Sequence, residues 1–114
     1  MMAELAKMKC EACRGDEPPA TQEEIDQMLG ELPEWEVVEV EGEKRLTRTF
    51  TFKDFVQALA FTNQVGEAAE EQDHHPKLVT EWGKVDVTWW THKIGGLHQN
   101  DFIMAAKTDQ LYQG

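Results

Sequence analysis

The chain has 114 residues, 40% hydrophobic and 29% charged, a composition that fits one globular domain with a modest core and excludes a disordered chain. Its net charge of −11 disfavours direct binding of nucleic acid, because an acidic surface repels phosphate. No run approaches the ~18 consecutive apolar residues of a membrane span, and the N-terminus lacks the apolar core of a signal peptide. We therefore expect a cytoplasmic protein that binds no membrane.

The first 20 residues carry no clear hydrophobic period and end in a run rich in glycine and proline, so we interpret residues 1–20 as a flexible arm. This arm contains Cys10 and Cys13 in a C-x-x-C spacing. The pair fits two exposed thiols, and it also fits a zinc site that a histidine or a neighbouring subunit completes. Residues 21–114 form the predicted domain.

The domain begins with a predicted short helix and hairpin. Thr21 and Glu24 form a capping-box motif, and an apolar face with helical spacing follows until Gly30 and Pro33 stop the helix. Residues 35–40 and 44–52 flank the turn Glu41-Gly42-Glu43 and are rich in β-formers. In the second run apolar and polar residues alternate, which predicts a half-buried strand in a hairpin.

The apolar pattern then changes to a helical period over residues 53–71. Its predicted apolar stripe consists of Phe55, Leu59, Thr62, Val65 and Ala69, flanked by Ala58, Phe61 and Ala68. Pro76 ends this helix, because it biases the residue before it towards extended geometry. Residues 78–82 and 85–90 predict a second hairpin around a glycine, and residues 99–112 predict a last helix.

The order helix, hairpin, helix, hairpin, helix predicts an α+β fold. We expect a two-layer sandwich in which a four-stranded antiparallel sheet carries three helices on one face. A sheet this small leaves its edge strands exposed, and exposed edge strands tend to pair with another chain. The sequence therefore predicts a homo-oligomer.

Three histidines fall where the chain changes direction, at one end of the predicted sheet. His74 and His75 precede the second hairpin and His92 follows it, so the hairpin brings the three together. Asp73 and Asp101 are placed to join them. An adjacent histidine pair is often only a solvated loop, but the third histidine favours a site.

Asp101 has a second interpretation. It stands three residues after His98, where a carboxylate reaches back to close a capping box, so we interpret His98 as a structural N-cap. The tryptophans Trp82, Trp89 and Trp90 are interpreted mostly as packing residues, although one of them could offer a flat wall to a ring-shaped ligand.

The residue types favour acid–base chemistry on a small molecule. Imidazole, with an unperturbed pKa of ~6.5, exchanges protons readily near neutral pH. The sequence contains no serine and its cysteines lie in the arm, which disfavours hydrolysis through a covalent intermediate. A zinc site of three histidines is the alternative, although no spacing of the H-E-x-x-H kind is present.

The combined pattern over about residues 21–112 resembles the pterin-4a-carbinolamine dehydratase family, which includes the dimerisation cofactors of a homeodomain transcription factor. The motif that carries the resemblance is Glu70-x-x-x-His74-His75-Pro76, followed by Trp82, Thr91-His92, Gly96-Leu97 and Asp101. The resemblance implies a carbon–oxygen lyase (a hydro-lyase) that converts 4a-hydroxytetrahydropterin to quinonoid dihydropterin and water. It also implies a place in tetrahydrobiopterin recycling beside an aromatic amino-acid hydroxylase.

The resemblance further implies a homodimer or homotetramer that uses no metal and no cofactor, since the pterin is the substrate. His74 and His92 would be the acids, one for each face of the pterin ring, and His75 would chiefly bind it. The family pattern implies that Glu70 or Asp101 holds a histidine charged.

Other residues implied in the pocket are Asp73, Trp90 and Thr91, through backbone or side chain. Where many relatives carry an aromatic residue after His-His-Pro, this chain has Lys77 and Leu78, and Trp82 or Trp90 could replace that ring. The alternative function is a non-catalytic module on the same fold, since relatives serve as transcriptional coactivators or assist Rubisco assembly.

Overall fold

The computed structural model describes Leu5, Lys7, Met8 and residues 18–112, in which strands and helices follow in the predicted order. Their bounds are α1 Gln22–Leu29, β1 Glu36–Val40, β2 Glu43–Thr51, α2 Phe55–Gln72, β3 Lys77–Glu81, β4 Lys84–Trp89 and α3 Gln99–Leu111. Leu5, inside the predicted arm, is buried in the core. Cys10 and Cys13 lie outside the described residues, so the division into arm and domain stays a prediction.

Four antiparallel strands form one sheet in the order β1-β2-β4-β3, with β1 and β3 at its edges. The register pairs Leu46 with Trp89 and Phe50 with Val85, and all four side chains are buried. Because side chains alternate between faces, these pairs define the face that packs on the helices. Helix α2 contacts β3 and β4, and α3 contacts β2 and β4, which confirms the predicted α+β fold.

Side chains at the helix ends satisfy the backbone amides there. The predicted capping box of α1 is present: Thr21 Oγ1 accepts from Glu24 N, and Glu24 Oε1 accepts from Thr21 N. Asp54 caps the start of α2, and Asp73 ends that helix in a left-handed conformation with φ of 52°. Within the described part of the chain, no helix is long and apolar enough to cross a membrane.

The apolar stripe predicted for α2 is wrong at its first turns, where the flanking residues are the buried ones. Phe55 and Leu59 are 43% and 44% exposed, whereas the buried residues of the helix are Ala58, Phe61, Val65 and Ala69. The rotation of the helix follows from Phe61, whose ring packs against Phe50 at 4.8 Å between centroids. Seating this aromatic ring on the sheet directs the two outer side chains to solvent.

Asp109 on α3 is a largely buried carboxylate that ties the helix to the sheet. Its Oδ1 accepts from Trp35 Nε1 at 2.8 Å and from Arg48 Nη1 at 2.7 Å. Burial raises the pKa of Asp109 above its ordinary value of 3.8, against the opposing effects of the Trp35 hydrogen bond and the Arg48 charge. The folded protein therefore binds this proton more tightly than the unfolded chain does.

We expect the contribution of Asp109 to stability to be complete below pH 3.8 and to be lost as the pH rises through the raised pKa. The free energy of unfolding of the wild type, measured with urea, should fall relative to that of Asp109→Asn over this range. The slope is at most about 1.4 kcal/mol per pH unit for one proton. The exposed Asp26→Asn is the control, and a difference between wild type and Asp109→Asn that does not change with pH contradicts the prediction.

Candidate active site

Three segments meet at one end of the sheet and carry the predicted site. Residues 73–76 join α2 to β3, residues 90–98 follow β4, and the first turn of α3 begins at Gln99. The middle segment folds back on itself, because Thr91 N donates to Gly96 O at 2.9 Å. Antiparallel pairing of β3 with β4 places the start of one strand beside the end of the other.

Asp101 is a buried carboxylate, 0% exposed, that joins these segments. Its Oδ1 lies 2.6 Å from Nε2 of His74, and its Oδ2 accepts from Thr91 Oγ1 at 2.8 Å and from His98 N at 2.9 Å. The last bond completes the predicted capping box of α3, whose N-cap is His98. A carboxylate is tolerated in a protein interior only when it has such donors.

The contact with Asp101 determines how His74 presents its ring. A carboxylate is an acceptor, so the hydrogen of the imidazole lies on Nε2. Among the residues that the structure describes, none hydrogen-bonds to Nδ1 of His74. The side chain is 12% exposed, and its ring lies parallel to that of Trp89, with 5.8 Å between centroids and 8° between planes. Nδ1 is thus the nitrogen left for a ligand.

His75 and Glu70 form a second histidine–carboxylate pair, in a more open position. His75 Nε2 contacts Glu70 Oε2, and the two side chains are 55% and 78% exposed. Asp73 is exposed, and its backbone N–H donates to the last turn of α2, at Ala69 O and Glu70 O. This pair is therefore solvated on most sides.

His92 faces a different carboxylate, on β2. Its Nδ1 lies 3.8 Å from Glu43 Oε2, and its side chain is 85% exposed. Glu43 Oε1 accepts from Arg45 Nη2 at 3.1 Å, and the Arg45 guanidinium lies 4.0 Å above the ring of Trp90. One face of Trp90 is consequently covered by an arginine.

The predicted site residues are thus brought together only in part. Asp101 contacts both His74 and Thr91. The side chains of His75 and His92 instead face carboxylates on other elements. In the described residues, no group of three or more His, Cys, Asp or Glu side chains is arranged to hold a metal ion.

Three further side chains surround the site but are not part of the sequence motif: Glu43, Arg45 and Trp89. Alternation along β4 predicts that Trp89 points inward, which was the available signal for it. No sequence signal pairs Glu43 with His92. Trp82, considered as a replacement ring, lies at the turn between β3 and β4, the far end of that hairpin from His74, and is 72% exposed.

Two grooves lie elsewhere on the molecule, and neither is lined by His74, His75 or His92. One, of about 620 Å³, runs between α2 and the end of α3 and includes Phe61 and Tyr112. The other, of about 540 Å³, lies between residues 18–21, α1 and the start of α3, where His98 forms part of its wall. The buried Asp101 carboxylate and the available nitrogen of His74 therefore lie apart from both grooves.

The arrangement is suited to moving protons. A carboxylate beside one nitrogen of an imidazole fixes the orientation of the ring, which leaves the opposite nitrogen as a proton donor or acceptor. Each of the three histidines has one such carboxylate neighbour. The pair of His74 and Asp101 is the most buried of the three.

Comparison with known proteins shows which family the chain resembles. The family model described as "Pterin 4 alpha carbinolamine dehydratase" matches residues 18–111. A protein of Saccharophagus degradans is 58% identical over 113 residues, which cover 99% of this chain and 100% of that protein. A protein of Chlorobium limicola is 61% identical with the same coverage. Both are provisionally named pterin-4-alpha-carbinolamine dehydratase.

Solved structures show the same fold. The structure of a transcriptional coactivator/pterin dehydratase from Brucella melitensis has a TM-score of 0.74 and 36% identity, and the match covers 82% of this chain and 97% of that one. A pterin dehydratase-like protein described as a RuBisCO assembly factor in the alpha-carboxysome has a TM-score of 0.59, with coverage of 70% and 90%. At 21% identity, this second likeness concerns the fold alone.

Proposed function

We propose a dehydratase function for this chain, which belongs to the pterin 4 alpha carbinolamine dehydratase family. The proposed reaction removes water from a 4a-hydroxytetrahydropterin and gives the quinonoid dihydropterin. The observation that carries the proposal is the buried pair of His74 and Asp101 in a chain that has the complete histidine set of the motif. This activity would serve tetrahydropterin recycling.

The chemical difficulty of the reaction is its leaving group. Hydroxide leaves poorly, so the C4a oxygen must be protonated as the C4a–O bond breaks and an electron pair moves in from a ring nitrogen. The leaving group is then water, and the ring nitrogen afterwards gives up its proton. A positioned acid of this kind contributes roughly 10²–10⁴-fold to the rate.

His74 is the acid that the geometry supports best. Asp101 holds its Nε2, so the proton would leave from Nδ1, which no described residue occupies. Asp101 would hold the His74 ring in one orientation, and the carboxylate is buried, so water does not compete for that contact. The Thr91 hydroxyl donates to Asp101, so we assign Thr91 the role of holding the carboxylate in place.

The remaining histidines are assigned by position. His92 would act on the opposite face of the pterin from His74, through Nε2, because its Nδ1 faces Glu43. His75 would bind the pterin, and Glu70 would orient it. Asp73 and Trp90 would line the pocket. Trp90 would present the face of its ring that Arg45 does not cover.

Stopped-flow absorbance on a chemically prepared 4a-hydroxytetrahydropterin tests the proposal. We expect the purified protein to accelerate dehydration over the spontaneous rate, and we expect the same acceleration after treatment with a chelator, since the proposed mechanism uses no metal or cofactor. Elemental analysis of the same sample checks the second point. Loss of activity with the chelator, restored by zinc, would instead support the metal-dependent alternative.

A non-catalytic module on the same fold is the second candidate. It is favoured by the name of one similar structure, a transcriptional coactivator/pterin dehydratase. A folded protein that leaves the spontaneous rate unchanged would support this candidate. The cytoplasmic location stays a prediction, and light scattering would test the predicted homodimer or homotetramer.

A further inference from the structure

The ring of His74 is held at two places, and the second contact lies outside the family motif. At its edge, Nε2 is bound to Asp101. On its face, it lies parallel to the indole of Trp89, with 5.8 Å between centroids and 8° between planes, a geometry typical of offset stacking. A ring held by one hydrogen bond can still tilt about that bond, and a flat surface against its face prevents the tilt.

Trp89 is itself fixed, so it offers His74 a rigid surface. The side chain is 0% exposed and pairs with Leu46 across the sheet. Its Nε1 donates to Thr108 Oγ1 at 3.3 Å, and Thr108 Oγ1 donates to Met104 O at 2.6 Å. Because Thr108 and Asp101 both lie on α3, this helix holds His74 from two directions.

We propose that Trp89 is a positioning residue that fixes the plane of the His74 imidazole. This inference rests on the proposed function, in which His74 must aim Nδ1 at the C4a oxygen. Proton transfer depends on the direction of Nδ1, since a small displacement of a catalytic group lowers the rate by a large factor. Trp89 has no exposed surface, so it acts through His74 and not by touching the substrate.

An NMR measurement tests the contact without any reference to activity. Protons of two rings in contact give a nuclear Overhauser effect. We expect this effect between the ring protons of His74 and those of Trp89, and we expect none from Trp89 to His75 or His92, which are 55% and 85% exposed. In Trp89→Leu the effect between aromatic rings should disappear, and in Trp89→Phe, which keeps an aromatic ring, it should remain.

Kinetics of pterin dehydration test the consequence. Trp89→Leu should lower kcat by about 10-fold, the upper end of what one aromatic stacking interaction is worth, with KM unchanged. Trp89→Phe should recover most of that loss. The conservative variant therefore separates an effect of ring stacking from a general loss of core volume.

Trp35→Leu is the matched control. Trp35 is 5% exposed, and like Trp89 it donates its indole N–H to a side chain of α3, in this case Asp109. We expect this variant to lose thermal stability while the His74 signals and kcat stay as in the wild type.

Two results would overturn the proposal: a wild-type protein without a nuclear Overhauser effect between His74 and Trp89, or a folded Trp89→Leu with wild-type kcat. The first decides the matter even where Trp89→Leu does not fold. A wild-type protein that shows the effect but dehydrates no pterin would leave the contact established and refute the proposed function instead.

Discussion

His74→Ala is expected to lower kcat by about 10²–10⁴-fold for the C4a epimer whose hydroxyl faces His74, which is the factor that a positioned general acid contributes. The substitution removes the nitrogen that would protonate the leaving hydroxyl. It also leaves Asp101 buried without one of its three donors. Stopped-flow absorbance gives kcat, and circular dichroism shows whether the variant is folded.

The neighbouring His75→Ala separates the role of acid from the role of binding. This side chain is 55% exposed and faces Glu70, not a buried carboxylate. We expect His75→Ala to raise KM more than it lowers kcat. If His75→Ala lowers kcat as much as His74→Ala does, the assignment of the two roles is wrong.

Asp101→Asn is expected to reduce both stability and kcat. The amide has one oxygen and one nitrogen, so it cannot accept from His74 on one side and from Thr91 and His98 on the other. A buried donor left without a partner costs about 1–3 kcal/mol. The amide also no longer holds the His74 ring as the carboxylate does, so kcat should fall more than folding alone explains.

Glu24→Gln is the matched control for Asp101→Asn. Both residues occupy the third position of a helix and close a capping box, but Glu24 is exposed and lies on α1, where its carboxylate binds the backbone of Thr21. We expect Glu24→Gln to leave kcat unchanged. A wild-type kcat in Asp101→Asn would contradict the role of this carboxylate in holding His74.

The fold follows from local signals, which is why so much of it could be predicted. The capping boxes at Thr21 and His98 involve residues three apart, and each hairpin joins strands that are neighbours in the chain. The rotation of α2 is not local. It depends on how Phe61 packs against aromatic rings of β2 and the C-terminus, so the exposure of Phe55 and Leu59 could not be predicted.

The same distinction applies to the site. The topology of the predicted fold places Asp101 near the histidines, and its carboxylate contacts His74. Its spacing to His98 is a local motif, which predicts the capping box. The contact of Glu43 with His92 depends on the register of β2 against β4, which pairs Leu46 with Trp89 and which no local pattern encodes. The stacking of Trp89 on His74 likewise requires the path of residues 73–76 in three dimensions.

The central claim is that this chain dehydrates a 4a-hydroxytetrahydropterin with His74 and His92 as acids on opposite faces of the ring. The most direct measurement follows both C4a epimers of the substrate by stopped flow with the wild type, His74→Ala and His92→Ala. We predict that the wild type consumes both epimers rapidly and that each variant loses rapid turnover of a different one. Near-wild-type rates on both epimers in both variants would contradict the claim.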